Sequence, residues 1–85
     1  MKTAWKFILQ PKTTVEIPDG AKILHIAQQR EYLCMWALVD PEQPKVKRTF
    51  IVYGTGHDMP DDPGEFVGTA LMDGGSLVFH VFEEV

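Results

Sequence analysis

Residues 22–39, Lys22-Ile-Leu-His-Ile-Ala-Gln-Gln-Arg-Glu-Tyr-Leu-Cys-Met-Trp-Ala-Leu-Val39, constrain the fold more than any other stretch. Two apolar runs flank a polar break at Gln28–Glu31, which is the pattern of a β-hairpin with a short loop. In the second run, Tyr32, Cys34, Trp36 and Leu38 alternate with Leu33, Met35, Ala37 and Val39. Side chains on a strand alternate between faces. Neither face of this strand is polar, so a central strand covered on both sides is expected.

The remaining segments read the same way. Ala4–Leu9 alternates and stops at Pro11, because proline cannot donate to a β-ladder. Thr13–Ile17 leads into Pro18-Asp19-Gly20, whose turn chemistry predicts a hairpin to the strand that follows. Asp40–Pro44 is a loop, and 46–53 is a strand. Residues 54–65 hold two prolines and three glycines and form a long irregular connection. Strands at 66–72 and 76–82 flank an Asp73-Gly74-Gly75 hairpin turn. No window has the 3.6-residue period of an amphipathic helix. The expectation is a single all-β domain over 1–85, an antiparallel β-sandwich or small β-barrel of about seven short strands. The strands at 32–39 and 77–82, apolar on both sides, predict a homo-oligomer, with a two-fold dimer the commonest solution.

Composition limits function. One cysteine excludes an internal disulfide and a multi-cysteine zinc site. No stretch approaches the ~20 apolar residues of a membrane helix, and Gln10-Pro11-Lys12 interrupts the N-terminal run before a secretory core could form. A cytoplasmic protein without a membrane partner is expected. The net charge is −4, and its distribution is uneven. All eight Lys and Arg lie at or before Arg48, whereas residues 49–85 carry seven carboxylates and none of either. An acidic chain is a poor nucleic-acid binder, so no direct nucleic-acid contact is expected. The acidic half could instead compete for a basic partner surface.

Five segments resemble a small uncharacterised family of tailed-phage, prophage and bacterial proteins: Ile17-Pro-Asp-Gly-Ala-Lys-Ile-Leu24, Trp36-Ala-Leu-Val-Asp-Pro41, Tyr53-Gly-Thr-Gly-His57, Val67-Gly-Thr69 and Val78-Phe-His-Val-Phe82. The resemblance spans nearly the whole chain. It implies a phage or prophage setting, with no activity to carry over. Small phage proteins often bind and block a host defence system.

Candidate chemistry centres on Gly54-Thr55-Gly56-His57, where glycine geometry could turn backbone N–H groups onto an anion. Lys22, Lys47 and Arg48 could add phosphate-binding charge. The alternative is a plain strand-exit turn. Trp36, Tyr53, Phe66 and Phe82, with Asp58, Asp61 and Asp62, are candidates for a protein interface. His25, His57 and His80 match no metal-ligand spacing, so no metal and no cofactor is expected. His25 should share a face with Ile23 and Ala27, and His80 with Val78 and Phe82. Cys34 reads as a core residue. Thr55 and Ser76 lack a nucleophile's sequence context, and no catalytic residue is assigned. The leading expectation is a non-enzymatic accessory protein that inhibits or modulates a host factor by binding. The alternatives are an oligomeric nucleotide or small-molecule sponge, and a virion structural or assembly protein.

Overall fold

A computed structural model describes all 85 residues. The strands are β1 (Thr3–Leu9), β2 (Lys12–Pro18), β3 (Lys22–Gln29), β4 (Tyr32–Val39), β5 (Lys45–Gly54), β6 (Glu65–Met72) and β7 (Leu77–Glu83), with a single 3₁₀ turn at Asp73–Gly75. They form two antiparallel sheets, ordered β1-β4-β3 and β2-β5-β7-β6. Neither sheet closes on itself, so the fold is a sandwich and not a barrel. β4 is the central strand of the smaller sheet as expected, but only its inner face is covered by the other sheet; on the outer face Tyr32 is exposed and Trp36 half-buried.

Alternation defines the interior. Leu33, Met35, Ala37 and Val39 of β4 are buried and face Val15, Ile17, Phe50 and Val81 across the sandwich. β3 stacks over β6. There the absence of a side chain at Gly68 lets Ile26 approach, since a Cβ would lie 3.1 Å from Ile26 Cγ1. Only 13 of 85 residues are buried. So thin a core leaves little reserve: truncating Phe50 to alanine, at ~3–5 kcal/mol, removes much of a small domain's stability.

Two sequence expectations are corrected. Pro18-Asp19-Gly20 does turn, with Gly20 at φ +82° and the Ala21 N–H donating to Pro18 O (3.2 Å). Yet β2 and β3 do not pair; the turn is an arch that passes the chain from one sheet to the other. Turn chemistry fixes where a chain reverses, while the burial of Ile17 and Pro18 at this corner decides where it goes. The second correction is a β-bulge at Leu24. Ile23 pairs with Ala37 on the inner face, whereas His25 pairs with Trp36 on the outer face. The extra residue inverts the alternation, so His25 shares its face with Ala27 but not with Ile23.

The β5–β6 connection is the distinctive feature. Both strands are antiparallel to β7, which lies between them, so they run parallel and residues 55–64 must cross β7. The inner face is filled by core. The crossover therefore passes over the outer face, where Pro60, Pro63 and Asp62 line a small cleft with Ile51, Tyr53 and Glu84. Gly64 brings it onto the sheet at φ +96°, where a Cβ would collide with Glu83 O.

Candidate functional site

The outer face of the four-stranded sheet gathers most of the chemistry-bearing side chains. Register places Ile51 beside Phe82 and Phe82 beside Phe66, and in the next row Tyr53 beside His80 and His80 beside Thr69. Phe82 makes edge-to-face contacts with Tyr53 (5.9 Å between ring centroids) and with Phe66 (5.5 Å). Such pairs contribute ~0.5–1.5 kcal/mol each beyond their burial. The cluster is only partly covered, because Phe66 and Leu71 are each 61% exposed. The crossover adds a carboxylate rim of exposed Asp58, Asp61 and Asp62, with Asp62 Oδ1 accepting the Gly64 N–H (3.1 Å).

His80 lies at the centre with both ring nitrogens engaged. Nε2 is 2.7 Å from Thr55 Oγ1, and Nδ1 is 2.9 Å from Thr69 Oγ1. Thr55 Oγ1 also donates to Val78 O (3.4 Å). In either neutral tautomer one ring nitrogen donates and the other accepts, and each threonine hydroxyl can take the complementary role. This network is a hydroxyl–imidazole contact that the sequence did not reveal. Half of it was accessible: a hairpin closed by Met72 and Leu77 pairs Thr69 with His80 by counting back along both strands. Thr55, which follows β5, could not be placed without knowing that β5 neighbours β7.

The other candidate residues are dispersed. Gly54–His57 is a turn closed by the His57 N–H donating to Gly54 O (3.1 Å), with Gly56 at φ +86° as a type II turn requires. The Thr55 N–H donates to Val78 O (3.1 Å), so two of the N–H groups of the expected anion cradle are already committed. The His57 ring sits against Gly54, where a Cβ would lie 2.9 Å from it. Lys47 is on the outer face of β5, opposite Glu16 of β2, and Lys22 is on the other sheet. Arg48 turns inward, six residues and about 20 Å along β5 from Gly54. Its Nε and Nη2 donate to Glu83 (both 2.7 Å), and its Nη1 donates to Ala21 O (2.7 Å). The hydrogen bonds that Arg48 donates to Glu83 hold the guanidinium pKa above its ordinary value, against the opposing effect of burial. Arg48 thus ties β5 and β7 to the arch that leads into β3, and it has no donor facing the 54–57 turn.

Trp36 is separated from the other interface candidates, since it lies on the outer face of the three-stranded sheet beside His25 (6.2 Å between rings). Cys34 occupies that same outer face, opposite Ile8 and Ala27, yet is only 1% exposed. The Lys6 Nζ to Gln29 Oε1 bond (2.8 Å) crosses above it. No three His, Cys, Asp or Glu side chains converge in a metal-binding group. No helix is long and apolar enough to cross a membrane.

A family described as a domain of unknown function, DUF7352, matches residues 1–85. The chain belongs to the DUF7352 family. The match covers every residue of the sandwich, including the arch, the crossover and the aromatic face. No curated protein and no solved structure matches the chain.

Proposed function

We propose that this DUF7352 protein is a non-enzymatic binding protein, an accessory factor of phage or prophage origin that modulates a host protein in the host cytoplasm. The observation that supports this reading is the Tyr53–Phe82–Phe66 cluster. Aromatic side chains half-buried on an open sheet face and rimmed by carboxylates match the composition of a protein-interface centre. The carboxylate rim favours a basic partner surface. The phage setting rests on the sequence resemblance. The nucleotide-sponge reading is weaker, since the Thr55 and His57 N–H groups of the 54–57 turn are already committed and the cations meant to serve it lie elsewhere. A virion role requires finding the protein in purified particles.

The test compares wild type with Phe66→Asp. Each is used as bait in a host lysate, the recovered protein is identified, and binding is remeasured with both components purified. The expected outcome is a host protein bound by wild type and at least about tenfold weaker to Phe66→Asp, the scale of one interface hot spot. Equal binding to both baits would overturn the reading. We further propose that the protein is a homodimer.

A further inference from the structure

The fold separates the chain's charge between its two layers. Residues 1–9 and 22–39, which build the three-stranded sheet, carry four cations (Lys2, Lys6, Lys22 and Arg30) against one carboxylate, Glu31. None of the four is in an ion pair, whereas Lys12 and Arg48 of the other sheet are each held by a glutamate. On the outer face of this sheet, Tyr32 and Trp36 stand on the central strand about 13 Å apart. Tyr32 is 46% exposed, and Trp36 is half-buried with the exposed His25 beside it. Between Tyr32 and the β3–β4 turn lies a shallow cleft of about 310 Å³. Its floor is Ile8 and Cys34, and its walls are Lys6, Gln29, Arg30 and Tyr32.

This combination is a flat apolar floor, an exposed aromatic ring and unpaired cations on one side. We propose that the outer face of the three-stranded sheet binds single-stranded nucleic acid, with a base stacked on Tyr32 in this cleft, Arg30 and Lys6 on the flanking phosphates, and the strand running along β4 toward Trp36. Base stacking on aromatic side chains beside a basic track is the general basis of sequence-tolerant single-strand binding. The guanidinium of Arg30 makes no hydrogen bond within the chain, and Lys6 Nζ uses one of its three donors on Gln29. Both are therefore available to phosphate oxygens.

The net charge of −4 opposes this only if all the charges act together. The smallest extent of the molecule is 15 Å between Cα positions, and of the seven carboxylates of residues 49–85 only Asp73 comes near this sheet, its N–H donating to Gln28 Oε1 (3.0 Å), while the other six belong to the opposite layer and its connections. At about 0.15 M salt the Debye length is ~8 Å, so the repulsion of those six is largely screened at the far face. An anionic membrane is the competing polyanion. Ile8, Leu24 and Tyr32 are exposed on this sheet, but Trp36 is half-buried and Cys34 fully so, which leaves no continuous protruding apolar surface, and binding to vesicles separates the two polyanions. The site is distinct from the Tyr53–Phe66–Phe82 face, and does not depend on what that face binds.

Fluorescence anisotropy of a labelled oligo-dT of about 12 nucleotides tests it, titrated with the full chain at increasing salt. Binding at low salt is expected, weakened at least about fivefold by Tyr32→Ala, the loss of one stacked base, and restored by Tyr32→Phe. Arg30→Gln should weaken binding and reduce the slope of log affinity against log salt by ~0.7. Phe66→Ala, on the opposite face, should leave binding unchanged. Urea denaturation of each variant separates lost binding from lost folding, and Arg30→Gln decides the matter if Tyr32→Ala does not fold. Four results would overturn the proposal: no binding up to about 100 µM protein, the weak end of non-specific affinity; binding indifferent to both Tyr32→Ala and Arg30→Gln; displacement by micromolar dTMP, which would make the cleft a mononucleotide pocket; or equal, Tyr32-independent binding to phosphatidylserine vesicles.

Discussion

Removing the guanidinium of Arg48 leaves Glu83 on the inner side of the sandwich without its counter-charge, and leaves Ala21 O without a donor. Both members of the pair are largely buried, with side-chain exposures of 23% and 17%. Hydrogen bonds to charged groups contribute ~1.5–3 kcal/mol, so Arg48→Met should lower unfolding free energy by about 2–3 kcal/mol in urea. Arg48→Lys should recover only part of that, because one ammonium cannot reproduce a fork that reaches two glutamate oxygens and a carbonyl. A residue type that is read from sequence as a phosphate ligand is used here as a brace between the four-stranded sheet and the arch; the difference was invisible because Glu83 is 35 positions away. A second expectation concerns His80. Its ring ¹⁵N shifts should report both nitrogens hydrogen-bonded, with Thr55→Val releasing Nε2 alone and Thr69→Val releasing Nδ1 alone. Asp40 gives a pH effect of definite sign. Its carboxylate accepts the Glu42 N–H (3.1 Å) and Gln43 Nε2 (3.4 Å), which hold its pKa below the ordinary 3.8. A depressed carboxylate stabilises the folded state above its unfolded value, and that contribution is lost as pH falls through the folded one. Carboxylate NMR should therefore show Asp40 protonating below the ordinary carboxylate value, with the 40–43 loop loosening as it does so.

At the scale of elements, the crossover is held by Gly64 and the arch by Gly20, and the two glycines separate conformation from space. Both have positive φ, where an L side chain is strained by ~1–3 kcal/mol. At Gly20 an added Cβ meets nothing within 4 Å, whereas at Gly64 it meets Glu83 O at an impossible distance. Gly64→Ala should accordingly destabilise the protein clearly more than Gly20→Ala in parallel denaturant melts, and equal effects would show that the crossover does not sit on β7 as described. The two local hairpins, β3–β4 and β6–β7, were legible in the sequence because their apolar runs are separated by short turn-forming segments. The arch was not, because a Pro-Asp-Gly turn is compatible with pairing or with a change of sheet. The Leu24 bulge was not either, because Leu24 is apolar and fits an uninterrupted alternation although it is 49% exposed. The crossover was recognised as a long connection, but its path follows from the order β5-β7-β6, a long-range pairing that no local pattern encodes.

At the scale of the whole molecule, an open sandwich has four edge strands, and they are unequally protected. β1 carries Lys6, β2 carries Lys12 and Pro18, and β3 carries Lys22 and a bulge. β6, Glu65-Phe-Val-Gly-Thr-Ala-Leu-Met72, has a bulge near its start but no lysine and no proline, and it exposes Phe66 and Leu71. An unguarded edge of eight residues is a template for another strand. The apolar outer face of β7, which in sequence suggested a second copy, is partly covered by the chain's own crossover, and so it gives a weaker reason for self-association than the edge does. Pairing β6 with its two-fold mate would extend each four-stranded sheet into one of eight strands, and would bring the two aromatic faces onto one continuous surface. Sedimentation at micromolar concentration is expected to show a dimer. Leu71→Lys places a charge beside this edge at an exposed position, where substitution costs the monomer no more than about 0.5 kcal/mol, and should convert the dimer to a folded monomer. A wild-type monomer would remove the edge from the mechanism. A dimer that survives Leu71→Lys but yields to Tyr32→Ala would move the interface to the opposite face, in direct competition with the nucleic-acid site.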